Sequence, residues 1–314
     1  MTPLLSLMLS LVGAFAYNAS SPFDPEFSRY VMFPLAAAAY SPDPSACLAT
    51  VSKNATLLSG ILARCDALHD TCAGFAAALP DRNAVVISFR GTQGNDQLMA
   101  EIAELVTERP VPIPSSGAVG PYFKNAFDSV WIGGLQSAMV TLAAENEGKE
   151  LWITGHSLGG SMASIAAATV VDQGLWPKEK IRLMTYGEPR TGDKAFTAFM
   201  DSNILAMHRV VHDRDMVVHV PPPFLGYKHS RQEIFYSEDM SNITDFIACT
   251  GDEDPKCSNI LLDLSVEDHL YYYGLEVGDW GKQGCTGTTK KEPQSSPVVR
   301  AMEDVVQRLN GFIK

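Results

Sequence analysis

The sequence predicts an α/β fold, a mostly parallel central sheet with helices on both faces, and three observations point to it. Short β-branched apolar runs alternate with helical stretches through the middle of the chain, the pattern of parallel strands joined by crossover helices. One strand-to-helix junction carries Gly155-His156-Ser157-Leu158-Gly159, a sharp turn that such sheets place at the top of a strand. The 314 residues hold no internal repeat or low-complexity tract, so one large core, and a single domain over residues 17–314, is the simplest organisation.

The elements follow in order. Residues 1–16 have no charged side chain, are apolar from Leu4 to Phe15 and close on Ala14-Phe15-Ala16. This reads as a signal peptide, since an apolar run of about twelve residues is too short to span a bilayer. Phe23 to Tyr40 predicts a helix, favoured by Ala36 to Ala39 and ended by Pro42 and Pro44. A loop-rich, cysteine-pinned segment is expected next. Ala84 to Phe89 is a buried strand entered by a turn at Asp81-Arg82-Asn83. A helical stretch from Asn95 to Thr107 precedes the extended Pro110, Pro112, Pro114 segment. Then come a helix at Asn125 to Asn146, a strand at Glu150 to Thr154, a helix at Leu158 to Gln173 and a strand at Ile181 to Tyr186. A helix near Ala195 to Met200, a strand at Met207 to Val211 and a last helix at Val298 to Ile313 complete the reading.

Composition narrows the function. Acidic residues outnumber basic ones by 36 to 24, so the field of the chain repels nucleic acid and leaves a neutral lipid or small ester, such as an oil–water surface presents, as the expected partner. No later segment is apolar for long enough to be an integral membrane span. Six cysteines and the sequons at Asn18, Asn54 and Asn242 predict export, glycosylation and disulfides, hence a secreted, extracellular protein. Cys65 with Cys72 and Cys249 with Cys257 can close small loops, which leaves Cys47 for Cys285. Cys-x-x-Cys spacing is absent, and neither a metal nor a cofactor is expected.

The chemistry starts at Ser157. Side chains two residues either side of it would clash in so tight a turn, hence the glycines, and its place at a helix amino terminus favours developing negative charge. A serine hydroxyl becomes a nucleophile when a histidine removes its proton and a carboxylate orients that histidine. The elbow in this context predicts an α/β-hydrolase fold, in which the chain order is serine, acid, histidine; that excludes His69 and sets aside His156 on the elbow itself. Asp213 and Asp215 both follow the strand Met207 to Val211, and His219, His229 and His269 remain as bases. Order alone does not choose among them.

Five blocks in one order narrow the choice: Ile87-Ser88-Phe89-Arg90-Gly91-Thr92, Thr154 to Gly160, Tyr186 to Gly192, Arg214 to Pro222 and Asp268-His269-Leu270-Tyr271-Tyr272. Together they resemble the fungal-type (class 3) triacylglycerol lipase family, in the form of a secreted animal-type member. The resemblance covers about Phe27 to Cys285 and implies Ser157 as nucleophile, Asp215 as acid and His269 as base. It also implies Thr92, through amide and hydroxyl, and the Leu158 amide as oxyanion donors, consistent with the need for donors from two loops. A bridge from the start of the domain to its end is common in the family and supports Cys47 with Cys285. Lys124-Asn125-Ala126-Phe127 and Met216-Val217-Val218 depart from the family pattern, which bears on acyl-chain preference and leaves the triad intact.

The expected function is therefore ester hydrolysis, foremost of acylglycerols, through an acyl-enzyme. A phospholipase or a feruloyl-type esterase would use the same residues, and a secreted lipid- or glycan-binding protein would keep the fold without the chemistry. A mobile lid is also predicted over Gly94 to Glu108, with Leu98, Ile102, Leu105 and Val106 on one helical face and Glu101, Glu104 and Glu108 on the other.

Overall fold

The computed structural model describes residues 21–65, 71–94, 98, 102–103, 105, 107–114, 116–260, 263–289 and 297–311. The predicted signal peptide, Asn18, Glu101, Glu104 and Val106 lie outside the described residues.

The main sheet among the described residues has eight strands: β1 (Thr56–Arg64), β2 (Thr71–Leu79), β3 (Ala84–Phe89), β4 (Glu150–His156), β5 (Ile181–Tyr186), β6 (Ala206–His212), β7 (Glu233–Tyr236) and β8 (Ile247–Cys249). They lie side by side in chain order. Strands β3 to β7 run parallel, whereas β1–β2, β2–β3 and β7–β8 pair antiparallel. The α/β-hydrolase class read from the elbow is the class observed.

Parallel neighbours in chain order, joined by right-handed crossovers, put every connecting helix on the same face. That face carries Pro121–Val130, Gln136–Glu145, Leu158–Asp172 and Lys194–Asn203. Along β3, Val85, Ile87 and Phe89 pack towards it with Phe123, Phe127 and Met162, while Ala84 and Val86 pack the other way with Phe33, Leu35, Leu48 and Trp280. Both faces are covered, so all six residues of β3 are buried and its sequence is apolar except for Ser88, whose hydroxyl donates to the Leu35 carbonyl. The second cover is built from two segments far apart in the chain, Phe33–Ala38 and Ser45–Val51 with Val277–Lys282. Cys47 and Cys285 join them, 238 residues apart with Cα atoms at 4.9 Å. Cys65–Cys72 and Cys249–Cys257 bridge separations of 7 and 8 residues.

The expected loop-rich segment is corrected. It contains the helix Ser45–Val51 and the long antiparallel strands β1 and β2. Strand β2 reads Thr-Cys-Ala-Gly-Phe-Ala-Ala-Ala-Leu, poor in β-formers, and owes its conformation to hydrogen-bonded neighbours on both sides. The helix expected from Asn125 begins at Pro121, a residue suited to the first helical turn, and the run bends at Gly134, where φ is 143°. Three strand ends bring the site together: β4 stops one residue before Ser157, β5 one before Gly187 and β6 three before Asp215. In an open parallel sheet, ligands gather at these carboxyl ends.

Candidate active site

Ser157 sits at the elbow with φ 61° and ψ −132°, a conformation that costs an L-residue energy and is held by hydrogen bonds on both sides. Its N–H donates to the Tyr186 carbonyl at 2.9 Å, and its carbonyl accepts from Gly160 at 2.8 Å. A Cβ on Gly155 would stand 2.2 Å from the Gly159 carbonyl oxygen, and one on Gly159 would stand 2.2 Å from that of Phe89. Backbone fills both places, so the two glycines are steric requirements of the turn.

Asp215 is fully buried and its carboxylate is saturated with donors. It accepts from His269 Nδ1 at 2.9 and 3.0 Å, from the Tyr272 hydroxyl at 2.8 Å and from the Val217 N–H at 2.9 Å. Burial alone would raise its pKa, but His269 and the hydroxyl of Tyr272 outweigh that and hold it below the usual carboxylate range. His269 lies on the short helix Val266–Leu270, capped by Ser265, whose backbone pairs with Arg214 and Met216 beside Asp215. With Nδ1 committed to a carboxylate, the ring carries its proton there. Nε2, buried, has no hydrogen-bond partner among the described residues, so its lone pair is uncommitted.

His156 supports this pair from below. Its Nε2–H donates to the His269 carbonyl at 2.8 Å, its Nδ1 accepts from the Tyr40 hydroxyl at 2.7 Å, and its ring stacks on that of His269 at 4.6 Å between centroids. Burial, reinforced by the charge of His269, pushes its pKa down to about 3, so the ring of His156 stays neutral.

Ser157 has two different sides. On one, Leu98, Ile102, Leu105, Phe123, Leu158 and Val217 close around a space of only about 10 Å³. On the other, Ser157, Thr92 and His269 border an open cavity of about 590 Å³ that shares Leu98 with the closed side and continues past Tyr271 to Glu276, Asp279 and Thr289.

This geometry has counterparts. Residues 86–225 match the family model described as lipase (class 3). A Caenorhabditis elegans lipase is 32% identical over 93% of this chain and 94% of the relative. The chain belongs to the class 3 lipase family. A Rhizomucor miehei lipase is 30% identical over 67% of this chain and 57% of that protein. Among solved structures, the lipase of Rhizopus microsporus var. chinensis superposes with a TM-score of 0.69 at 28% identity, covering 83% of this chain and 92% of that one. Like its family, this class 3 lipase is a carboxylic ester hydrolase of the triacylglycerol-lipase type.

Of the residues singled out in this lipase's sequence, Ser157, Asp215, His269 and Thr92 meet around one cavity or its floor, and Leu158 opens the helix behind the serine. Asp213 does not join them. It turns to Arg214 at 3.5 Å and stays part-exposed. His229 is likewise elsewhere, its Nε2 against the Val218 carbonyl at 2.7 Å. Asn54 and Asn242 are exposed. Sequence reasoning missed Tyr40, Tyr272 and Gly187, whose added Cβ would stand 2.8 Å from both Asp215 Oδ2 and His269 Nδ1. For Tyr272 a signal existed in its place three residues after His269; Tyr40, 116 residues before its partner His156, gave none.

Proposed function

We propose that this chain hydrolyses acylglycerol esters through an acyl-enzyme, with Ser157 as nucleophile, His269 as base and Asp215 as acid. The observation that carries the reading is the divided histidine, with Nδ1 held by both oxygens of Asp215 and Nε2 uncommitted in a ring that borders the Ser157 cavity. His269 Nε2 takes the Ser157 proton as Oγ attacks the ester carbonyl. The tetrahedral oxyanion accepts hydrogen bonds from the amide and hydroxyl of Thr92 and the amide of Leu158, whose helix end also favours negative charge. When the carbon–oxygen bond of the alcohol breaks, the imidazolium gives its proton to the leaving oxygen. Water then attacks the acyl-serine by the same route and frees the acid.

The remaining readings belong with this one. Residues 1–16 act as a signal peptide, residues 17–314 fold as one domain, and the disulfides with exposed Asn54 and Asn242 suit a secreted glycoprotein. The segment around Leu98, Ile102 and Leu105 is a lid: these buried side chains fill the apolar side of Ser157 and must leave before an acyl chain enters. Ser157→Ala tests the core of the proposal by hydrolysis of triolein and p-nitrophenyl butyrate. The variant should be secreted and folded yet inactive on both; turnover above a few per cent of the parent's would remove the serine from the mechanism.

A further inference from the structure

The ester-hydrolase reading orients the substrate, and the orientation exposes a second recognition site. His269 must protonate the leaving alcohol, so the alcohol part lies on the side where His269 borders the open cavity, and the acyl part lies against Leu98 and Ile102. We infer that the cavity on the His269 side is a subsite for an uncharged sugar headgroup, which makes a glycosylated acylglycerol the matching substrate.

Its walls argue for this chemistry. Beyond the residues around Ser157 it is bordered by Glu276, Asp279, Lys282, Gln283, Thr288 and Thr289. An acyl chain placed there would strip water from two carboxylates and an ammonium and return no hydrogen bonds, which is strongly unfavourable. A phosphate-bearing head meets the wrong charge: Lys282 is already paired with Asp279 at 3.2 Å, and Glu276 adds a further carboxylate. A polyol avoids both penalties. The Thr289 hydroxyl accepts from the Glu276 N–H at 2.6 Å and keeps its own proton to donate. The side chains of Gln283 and Thr288 have no protein partner among the described residues and supply further donors and acceptors. Tyr40 and Tyr271, both almost fully buried, also border the same space.

Size separates a sugar from bare glycerol. The cavity of about 590 Å³ lies within the range of pockets that hold whole small ligands. Glycerol alone leaves most of it to solvent, whereas a glycosylated glycerol occupies it while the sugar hydroxyls replace the water.

The test uses the full secreted protein and mixed micelles of three octanoyl lipids: monogalactosyl-dioctanoylglycerol, dioctanoylphosphatidylcholine and trioctanoylglycerol. The galactolipid should show the highest kcat/KM, by about tenfold or more, because a site built to bind hydroxyls discriminates against substrates lacking them. The double variant Gln283→Leu, Thr288→Val should lower the ratio of galactolipid to p-nitrophenyl butyrate turnover about tenfold, and galactosylglycerol should inhibit the parent competitively and the variant weakly. Preference for phosphatidylcholine or trioctanoylglycerol, or a ratio unmoved by the double variant, would overturn the headgroup site while leaving the hydrolase intact. Absence of turnover on every ester, p-nitrophenyl butyrate included, would instead bring down the catalytic reading beneath it.

Discussion

The two sides of Ser157 differ in kind. On the side proposed for the acyl chain, protein fills the space, with Leu98 and Ile102 at 5% and 1% exposure around a gap of about 10 Å³. On the side proposed for the alcohol a cavity of about 590 Å³ with a largely polar lining stands open. The contrast teaches that the two halves of an ester meet different costs. The acyl chain must displace buried apolar side chains, which an oil surface can compensate by covering them, whereas the alcohol displaces only water. Between the sides sit Ser157 and His269, the proposed catalytic pair, with His269 fixed through Asp215, Tyr272 and His156.

The largest effect should therefore strike both sides alike. Asp215→Asn should lower turnover of every ester by about four orders of magnitude, the scale on which a triad aspartate acts, while Asp213→Asn should change it by less than about threefold. A large loss in the Asp213 variant would move the acid. A smaller and one-sided effect is expected at the lid. Leu98→Asp or Ile102→Asp should weaken hydrolysis of emulsified triacylglycerol about tenfold more than that of a dissolved short-chain ester, with thermal melts used to confirm a folded variant. Equal losses on both substrates would make the segment a plain structural cover and erase the difference between the sides.

The smallest effect belongs to stability and should leave the contrast untouched. Burial lowers the pKa of His208 to about 4, against 6.5 for an ordinary histidine. Between these values the unfolded chain holds a proton at this site that the folded chain lacks, so its contribution is complete above about pH 6.5 and is lost as pH falls towards 4. His208→Phe should flatten the dependence of unfolding free energy on pH over that window by about 1.4 kcal/mol per pH unit, with substrate preference unaltered. An unchanged slope would mean that the site does not take up a proton on unfolding.

Much of this was legible in the sequence where the constraint is local. The elbow shows because backbone crowding at Gly155 and Gly159 admits nothing else, and β3 and β5 show because strands covered on both faces are rich in apolar residues, with Ser88, Arg182 and Thr185 as the polar exceptions. Strands β1 and β2 were illegible because alanine, glycine and leucine carry no strand preference, and their pairing is a property of the assembled sheet. The choice between Asp213 and Asp215 came from family resemblance. In space it follows from the turn after β6, where Asp213 takes φ 37° and faces Arg214 while Asp215 turns inward to His269. Tyr40 was hidden for a related reason, since its contact with His156 exists only once the first helices cover the sheet.

The most direct measurement is covalent labelling of the folded, secreted protein with a fluorophosphonate, followed by mapping of the modified peptide. The account predicts one adduct, on Ser157, lost in Ser157→Ala and strongly slowed in Asp215→Asn, because only a serine paired with an oriented histidine attacks phosphorus at a useful rate. An adduct on any other residue, or a folded protein that remains unlabelled, would contradict it.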